Sequence, residues 1–224
     1  MIVKIKRQRN HESEAYWQSF NYNGPRHVTV SAVLDALNYT DDLFDIEGNA
    51  SPKIRWECSC MQAMCGGCAM VINGVPALAC ATFADEVKGK ELVLEPLSKF
   101  PVIADLIVDR GIIYENLINA KAYLESVAKS DARQHDQQYS VAKCLKCGLC
   151  LEVCPNYRYG EDFYGAVLAN ESYLVASQSA DKRSEATKGY KKHFGAFCSK
   201  ALSCQSVCPM KIETITSIMR MNRK

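Results

Sequence analysis

Charge of one sign is scarce in this chain: 27 lysines and arginines stand against 25 aspartates and glutamates, a formal net charge of +2. So even a balance gives no electrostatic footprint for a phosphate backbone, and nucleic acid is excluded as the main partner. A secretory leader is lacking as well. The opening MIVKIKRQRN alternates apolar and basic residues, without the apolar core and cleavage site of a signal and without the character of a transit peptide. The expectation is a chain made and kept in a prokaryotic cytoplasm. A clean membrane span is absent too. No charge falls between Cys58 and Ala84, but that run holds five cysteines, three glycines, a proline and an asparagine, which would not make a spanning helix. Any contact with a membrane is expected to run through a partner.

What is present is cysteine, twelve in 224 residues. In a reducing compartment these point to metal or redox chemistry rather than disulfides. The rest of the composition, 48% apolar and 23% charged, is that of a globular protein with a core, and the length allows one large domain or two small ones. Cys58, Cys60, Cys65, Cys68 and Cys80 lie in the first half. Cys144, Cys147, Cys150, Cys154, Cys198, Cys204 and Cys208 lie in the second, after a cysteine-free stretch of about sixty residues. That division predicts two domains, 1–100 and 101–224, with proline at Phe100-Pro101 opening a helix.

Periodicity separates the halves in kind. VKIKRQ (3–8) and HVTV (27–30) alternate with period two, SAVLDALNY (31–39) has helical spacing, MVINGVPAL (70–78) predicts a hairpin about Asn73-Gly74, and ELVLEPL (91–97) predicts a strand. A small mixed sheet with one helix accommodates them. Beyond residue 100 the pattern turns helical: Ile103, Leu106 and Ile107, then Tyr114, Leu117 and Ile118, and later 163–176 and 210–222. The charged segment DKRSEATKGYKKH (181–193) reads as solvated surface. The basic end, Arg220-Met221-Asn222-Arg223-Lys224, reads either as an approach to lipid headgroups or as a solvated tail. The fold class expected is α+β, a sheet domain followed by an all-helical one.

Cys60, Cys65, Cys68 and Cys80 have the C-x4-C-x2-C…C spacing of a plant-type [2Fe–2S] centre. Two irons need four thiolates converging from a wrapping loop, and Gly66 and Gly67 let backbone N–H groups approach the sulfurs. A zinc site is the competing reading of the same residues. Cys58 is surplus: it could serve as an alternate ligand, but its longer gap to Cys65 fits the motif less well, and a bystander thiol is the simpler reading.

CLKCGLCLEVCP (144–155) is a complete C-x2-C-x2-C-x3-C-P run, whose fourth cysteine in two-cluster ferredoxins ligates the other run's cluster. The second run, CSKALSCQSVCP (198–209), lacks one cysteine and has Ala201 in its place. Under the crossing rule Cys144, Cys147, Cys150 and Cys208 hold a [4Fe–4S] cluster. Cys154, Cys198 and Cys204 are then left with three thiolates, which fits a [3Fe–4S] cluster. A labile [4Fe–4S] with an open corner is the alternative.

Three clusters in this order, with CGGCAMVINGVPALAC (65–80), LEPLSKFPVIADLIVDR (94–110) and the two runs above, resemble the iron–sulfur subunits of succinate dehydrogenase and fumarate reductase across nearly the whole chain. The resemblance implies a β-grasp ferredoxin domain, then an α-helical ferredoxin domain. It also implies an FAD-bearing flavoprotein partner, where the dicarboxylate chemistry occurs, and a transmembrane quinone-reactive anchor subunit that in some members carries haem b. No catalytic residue is implied on this chain, which would pass single electrons from the cytoplasmic face of the prokaryotic cell membrane, held there peripherally. GEDFYGAVLAN (160–170) is similar to the menaquinone-linked branch. Some positions depart from the family: Met61-Gln62-Ala63 stands where many relatives have arginine and glutamate, Asn156-Tyr157-Arg158-Tyr159 where many have tryptophan, and Ser199 where several have histidine. By position, Tyr157, Arg158 and Tyr159 are candidates for the quinone side, with ordinary packing or surface roles as the alternative. Three other functions compete: a flavoprotein reductase subunit serving another enoate or coupled to thiols without quinone, a freestanding ferredoxin, and a zinc-stapled interaction module.

Overall fold

The structure is a computed structural model that describes residues 1–129 and 132–223, in two compact units, Met1–Asp109 and Arg110–Lys224. Of the basic end, Lys224 lies outside the described residues, as does Ser130 at the close of the helical stretch read from 100 onward.

In the first unit, β1 (Ile2–Arg7) buries Val3, Ile5 and Arg7 and turns the residues between them outward, as period-two alternation requires. It pairs antiparallel with β2 (Tyr16–Asn21), a strand the sequence reading did not single out. After α1 (Val30–Tyr39) and the short pair β3 (Leu43–Phe44) and β4 (Ala50–Ser51) come β5 (Ala69–Ile72), β6 (Val75–Leu78) and β7 (Leu92–Glu95). The sheet order is β2-β1-β7-β5-β6, with β1 and β7 parallel and the other pairs antiparallel. The β5–β6 turn is Asn73-Gly74, both at positive φ (46° and 79°), the backbone such a two-residue hairpin demands. Helix α1 buries Val30, Val33, Leu34 and Leu37, one face of a 3.6-residue repeat. One mixed sheet with one helix is the β-grasp arrangement.

Two local expectations are corrected. HVTV is not a strand: Thr29 makes a single bridge to Phe83, then its Oγ1 accepts from Ala32 N–H and caps α1. Residues 102–108 are not helical. They form a hairpin of β8 (Val102–Ala104) and β9 (Ile107–Val108) that belongs to the first unit, so the division falls after Asp109, later than the boundary read at Phe100-Pro101.

The tip of that hairpin explains its placement. Asp105, at φ 47°, stands 3.0 Å from Arg7 Nε, with both side chains almost wholly buried. The Nε contact is Coulombic rather than a directed hydrogen bond. The Asp105 carboxylate also accepts from the N–H groups of Gln8 (3.0 Å) and Arg55 (2.9 Å). Arg7 donates to Gln18, Ser51 and the carbonyls of Pro52 and Lys53. Asn38 holds Ile54 through both N–H and C=O, and Leu106 N–H donates to Arg55 C=O. Residues 52–55 thus have no strand neighbour, and side chains of Arg7, Asn38 and Asp105 take most of their backbone hydrogen bonds instead. This is the stretch that leads into the first cysteine loop.

The second unit has only helices among its described residues: α2 (Gly111–Asn119), α3 (His135–Ala142), α4 (Leu149–Glu152), α5 (Gly165–Gln178), α6 (Ala180–Tyr190), α7 (Ser203–Ser206) and α8 (Thr214–Asn222). Helix α5 is central. Eleven of its fourteen residues are buried, and it packs against α2, α3, α4, α6 and α8. At its start Gly165, φ 68°, lies so close to α4 that a Cβ would stand 2.3 Å from Leu151 Cδ2, so a side chain there would have to displace Leu151 and adopt a left-handed backbone as well. The 181–193 segment is more than solvated surface. It forms most of α6 and runs into a π-helical turn, Lys191–Gly195, with Ala186, Tyr190, His193 and Phe194 turned inward while most of its charged residues remain exposed. No described helix is long and apolar enough to cross a membrane.

Candidate iron–sulfur centres

Cys60, Cys65 and Cys68 lie on the loop between β4 and β5, and Cys80 lies in a 3₁₀ turn, Ala79–Ala81. Met61, Ala63 and Gly66 adopt positive φ (55°, 58° and 75°), which turns successive amides inward. Gln62 and Met64 N–H donate to Cys60 Sγ (3.5 and 3.2 Å), Ala63 N–H to Cys80 Sγ (3.2 Å) and Gly67 N–H to Cys65 Sγ (3.4 Å). Cys68 and Cys80 sulfurs are 3.4 Å apart. A cage of amide donors around sulfur stabilises negative charge: the Gln62 and Met64 amides bring the Cys60 thiol down to about 7, while burial pushes Cys68 up to about 12. Four thiols under such donors fit an anionic cluster. The departure at Met61-Gln62-Ala63 leaves the cage intact, since backbone N–H groups make it. Cys58 is exposed, with its sulfur 3.2 Å from Met61 Sδ.

The second unit repeats one backbone design. In the first run Lys146 and Gly148 are left-handed (φ 52° and 86°) and α4 follows; in the second, Lys200 and Leu202 are left-handed (both 59°) and α7 follows. The hydrogen bonds match in pairs: Leu151 N–H to Gly148 C=O with Gln205 to Leu202, Val153 to Leu149 with Val207 to Ser203, and Cys154 to Leu151 with Cys208 to Gln205. Superposed by this pattern, Cys144 corresponds to Cys198, Cys150 to Cys204 and Cys154 to Cys208, while Cys147 corresponds to Ala201. Leu202 takes the left-handed place of Gly148, a conformation that costs a residue with a Cβ roughly 1–2 kcal/mol.

The thiols sort accordingly. Cys144, Cys147, Cys150 and Cys208 line one small cavity, which Cys204 also borders. The Cys150 thiol is raised well above its ordinary value by burial first and then by the neighbouring Cys147, Cys144, Cys204 and Cys208; Cys144 rises to about 11, again chiefly through burial. The sulfur charges felt most by Cys204 are those of Cys154 and then Cys198. Lys200 N–H donates to Cys198 Sγ (3.4 Å), and Ala201 is exposed. Among the described residues no three His, Cys, Asp or Glu side chains converge tightly enough for a single metal ion.

Several polar groups beside the cavity were not singled out from sequence. Lys146 Nζ lies 2.6 Å from Glu171 Oε1, both largely buried. Burial alone would depress the lysine, but the carboxylate holds it above its ordinary value. Asn170 Nδ2 is 3.1 Å from Thr214 Oγ1. Asn170 ends the stretch GEDFYGAVLAN and Glu171 follows it, and neither carries a ligand spacing, so only their polarity inside an otherwise buried helix could have flagged them. Of the three residues read toward a quinone, Tyr157 is buried and its phenol is pushed up to about 12 by that burial, whereas Arg158 and Tyr159 are exposed. Arg158 borders an open surface cleft with Pro155, Asn156, Glu161, Phe163 and Phe197.

Comparison with known proteins meets this geometry. The family model described as a 2Fe-2S iron-sulfur cluster binding domain matches residues 2–115, and that described as a 4Fe-4S dicluster domain matches residues 140–212. The fumarate reductase iron-sulfur subunit of Mycobacterium tuberculosis (strain CDC 1551 / Oshkosh) is 33% identical over 204 residues, 84% of this chain and 78% of that one. The chain belongs to the succinate dehydrogenase and fumarate reductase iron–sulfur subunit family. The succinate dehydrogenase iron-sulfur subunit of Bacillus subtilis (strain 168) is 28% identical over 230 residues, covering 98% of this subunit and 90% of its own length. The fold is shared with a chain of the Mycobacterium smegmatis Sdh1 complex in its apo form, at a TM-score of 0.75 and 21% identity over 98% of this iron–sulfur subunit and 94% of that chain. An N-terminal 2Fe–2S ferredoxin domain followed by a helical 4Fe–4S domain is therefore the architecture of this iron–sulfur subunit.

Proposed function

We propose that this iron–sulfur subunit passes single electrons between the FAD of a flavoprotein partner and a quinone, within a membrane-bound fumarate reductase or succinate dehydrogenase. The observation that supports it most is the duplicated run with an unmatched alanine, Ala201 opposite Cys147. In this reading Cys60, Cys65, Cys68 and Cys80 hold a [2Fe–2S] cluster, Cys144, Cys147, Cys150 and Cys208 a [4Fe–4S], and Cys154, Cys198 and Cys204 a [3Fe–4S]. When bound, such clusters supply one-electron carriers whose potentials follow ligand type, burial and hydrogen bonds to sulfur.

The chain's own residues contribute the rest. The amides of Gln62, Ala63, Met64 and Gly67 offset the negative charge of the first thiolate set. Buried Cys147 and half-buried Cys150 place the second thiolate set in a weakly hydrated setting, which raises both thiols. Ala201 offers no ligand at the third, so a fourth iron there would have no side chain to fix it. No group on this chain is assigned a proton-transfer or nucleophilic role; the dicarboxylate chemistry belongs to the flavoprotein. Tyr157, Arg158 and Tyr159 are proposed for the quinone side, the first buried and the other two exposed. A transmembrane anchor, in which haem b is an option, would hold the subunit at the cytoplasmic face. The stretch Phe163-Tyr164-Gly165-Ala166 favours the menaquinone-linked branch.

A second reading keeps the flavoprotein but removes the quinone, with another enoate or a thiol couple as the redox partner. Ser199, where several relatives have histidine, and Asn156-Tyr157-Arg158-Tyr159, where many have tryptophan, favour it, as does the burial of Tyr157. Affinity purification of the tagged chain from its own host, solubilised gently without oxygen, separates the two by mass spectrometry. A flavoprotein with a multi-helix membrane subunit supports the quinone-linked complex. A flavoprotein alone overturns it in favour of the second reading.

A further inference from the structure

The cavity that gathers Cys144, Cys147, Cys150 and Cys208 is walled mostly by apolar groups such as Val167, Met210 and Ile212. Of its polar wall residues, Lys146 is committed to Glu171. The other two are uncharged: Asn170, 4% exposed, from the middle of α5, and Thr214, 2% exposed, from the first position of α8. Asn170 Nδ2 lies 3.1 Å from Thr214 Oγ1, and Asn170 Oδ1 is buried with no hydrogen-bond partner. A buried carbonyl without a donor is unfavourable anywhere, and more so beside thiolates.

The two ends of a carboxamide have the same shape, and a threonine hydroxyl both donates and accepts. With the amide reversed, Thr214 O–H donates to Asn170 Oδ1 and the NH₂ group of this cavity-lining residue takes the place of the orphaned oxygen. Every group is then satisfied, provided the cavity holds an acceptor. Sulfur bearing negative charge is such an acceptor.

We infer that Asn170, oriented by Thr214, donates an N–H hydrogen bond to the sulfur of the cluster site formed by Cys144, Cys147, Cys150 and Cys208, and so raises the reduction potential of that site. The inference rests on the proposed reading of the site as a [4Fe–4S] centre. Reduction adds negative charge to the sulfurs, so a fixed donor stabilises the reduced state more than the oxidised one. Two packed helices fix this donor, which limits its freedom to relax when the charge changes. Asn170 is thus a positioning and tuning residue.

The test is an EPR-monitored redox titration of the complete complex, purified without oxygen, comparing wild type with Asn170→Leu and Thr214→Val. Asn170→Leu keeps size and removes the donor. The expected result is a negative shift of the four-iron midpoint in Asn170→Leu, a smaller shift of the same sign in Thr214→Val, and unmoved midpoints at the other two centres. A four-iron midpoint in Asn170→Leu equal to that of wild type overturns the inference. If that variant fails to load the centre, Thr214→Val decides: a negative shift supports the inference, and none overturns it. Absence of any four-iron signal in the wild type overturns the site reading and the inference with it, whereas a wild-type signal with unmoved variants overturns the inference alone.

Discussion

Replacing Asp105 by alanine removes one carboxylate that three segments share. Its oxygens face the Arg7 guanidinium at 3.0 Å and accept from Gln8 and Arg55 N–H at 3.0 and 2.9 Å, with 3% and 6% of the Arg7 and Asp105 side chains exposed. Breaking a buried pair by deleting one partner costs about 3–5 kcal/mol, because a charge is left uncompensated. Arg7 keeps its bonds to Gln18, Ser51, Pro52 and Lys53, so the lower end, about 3 kcal/mol, applies. At roughly 4–8 °C per kcal/mol for a unit of this size, that lowers its melting point by roughly 12–24 °C. The assay is anaerobic thermal unfolding of the whole cluster-loaded chain, read by the visible circular dichroism of the first centre, since residues 52–55 feed directly into its loop. Arg7→Met combined with Asp105→Ala should cost less than the sum of the single changes, as no buried charge remains unpaired. Melting of Asp105→Ala within about 3 °C of wild type, less than 1 kcal/mol by the same scale, would refute the clamp.

Other perturbations address the centres. Ala201→Cys restores the thiol that the repeat lacks; iron content should rise by about one per chain and the oxidised-state EPR signal at about g = 2 should disappear, while an unchanged signal removes Ala201 from the vacant corner. Glu171→Gln leaves the Lys146 ammonium half-answered and should cost about 2 kcal/mol, less than a fully buried pair because Lys146 is one-fifth exposed. As Lys146 is raised in the fold, the pair's contribution in wild type is complete below 10.5, the ordinary lysine value, and is lost as pH climbs through the raised one; the variant should lack that alkaline decline in thermal unfolding. In chain stripped of metal, with Cys60 at about 7, Cys144 at about 11 and Cys68 at about 12, iodoacetamide at neutral pH should alkylate Cys60 well before the other two, by peptide mass mapping. Equal rates would mean that the amide cage does not form without metal.

The cysteine spacing made the candidate sites legible because ligands to one cluster must fall at fixed intervals along a loop, and those intervals survive in sequence. Asn73-Gly74 was legible for a similar local reason. Residues 102–108 were not: Ile103, Leu106 and Ile107 satisfy helical spacing as well as hairpin spacing, and the deciding contact, Asp105 to Arg7, joins positions far apart in the chain. Strand β2 hid because Tyr16 and Trp17 are exposed on a sheet edge, so its alternation is weak. The Asn170–Thr214 pair sits on two helices, and only packing of α5 against α8 brings it to the cavity. Local grammar was readable; long-range polar partnerships were not.

Two complete four-thiol sites and one three-thiol site are proposed for this chain. The most direct test is quantitative low-temperature EPR of the anaerobically purified, oxidised protein. Oxidised [2Fe–2S] and [4Fe–4S] centres are diamagnetic, so a single signal at about g = 2 integrating to about one spin per chain is expected. A spectrum silent at full iron loading would contradict it, and the third site would have to hold four irons.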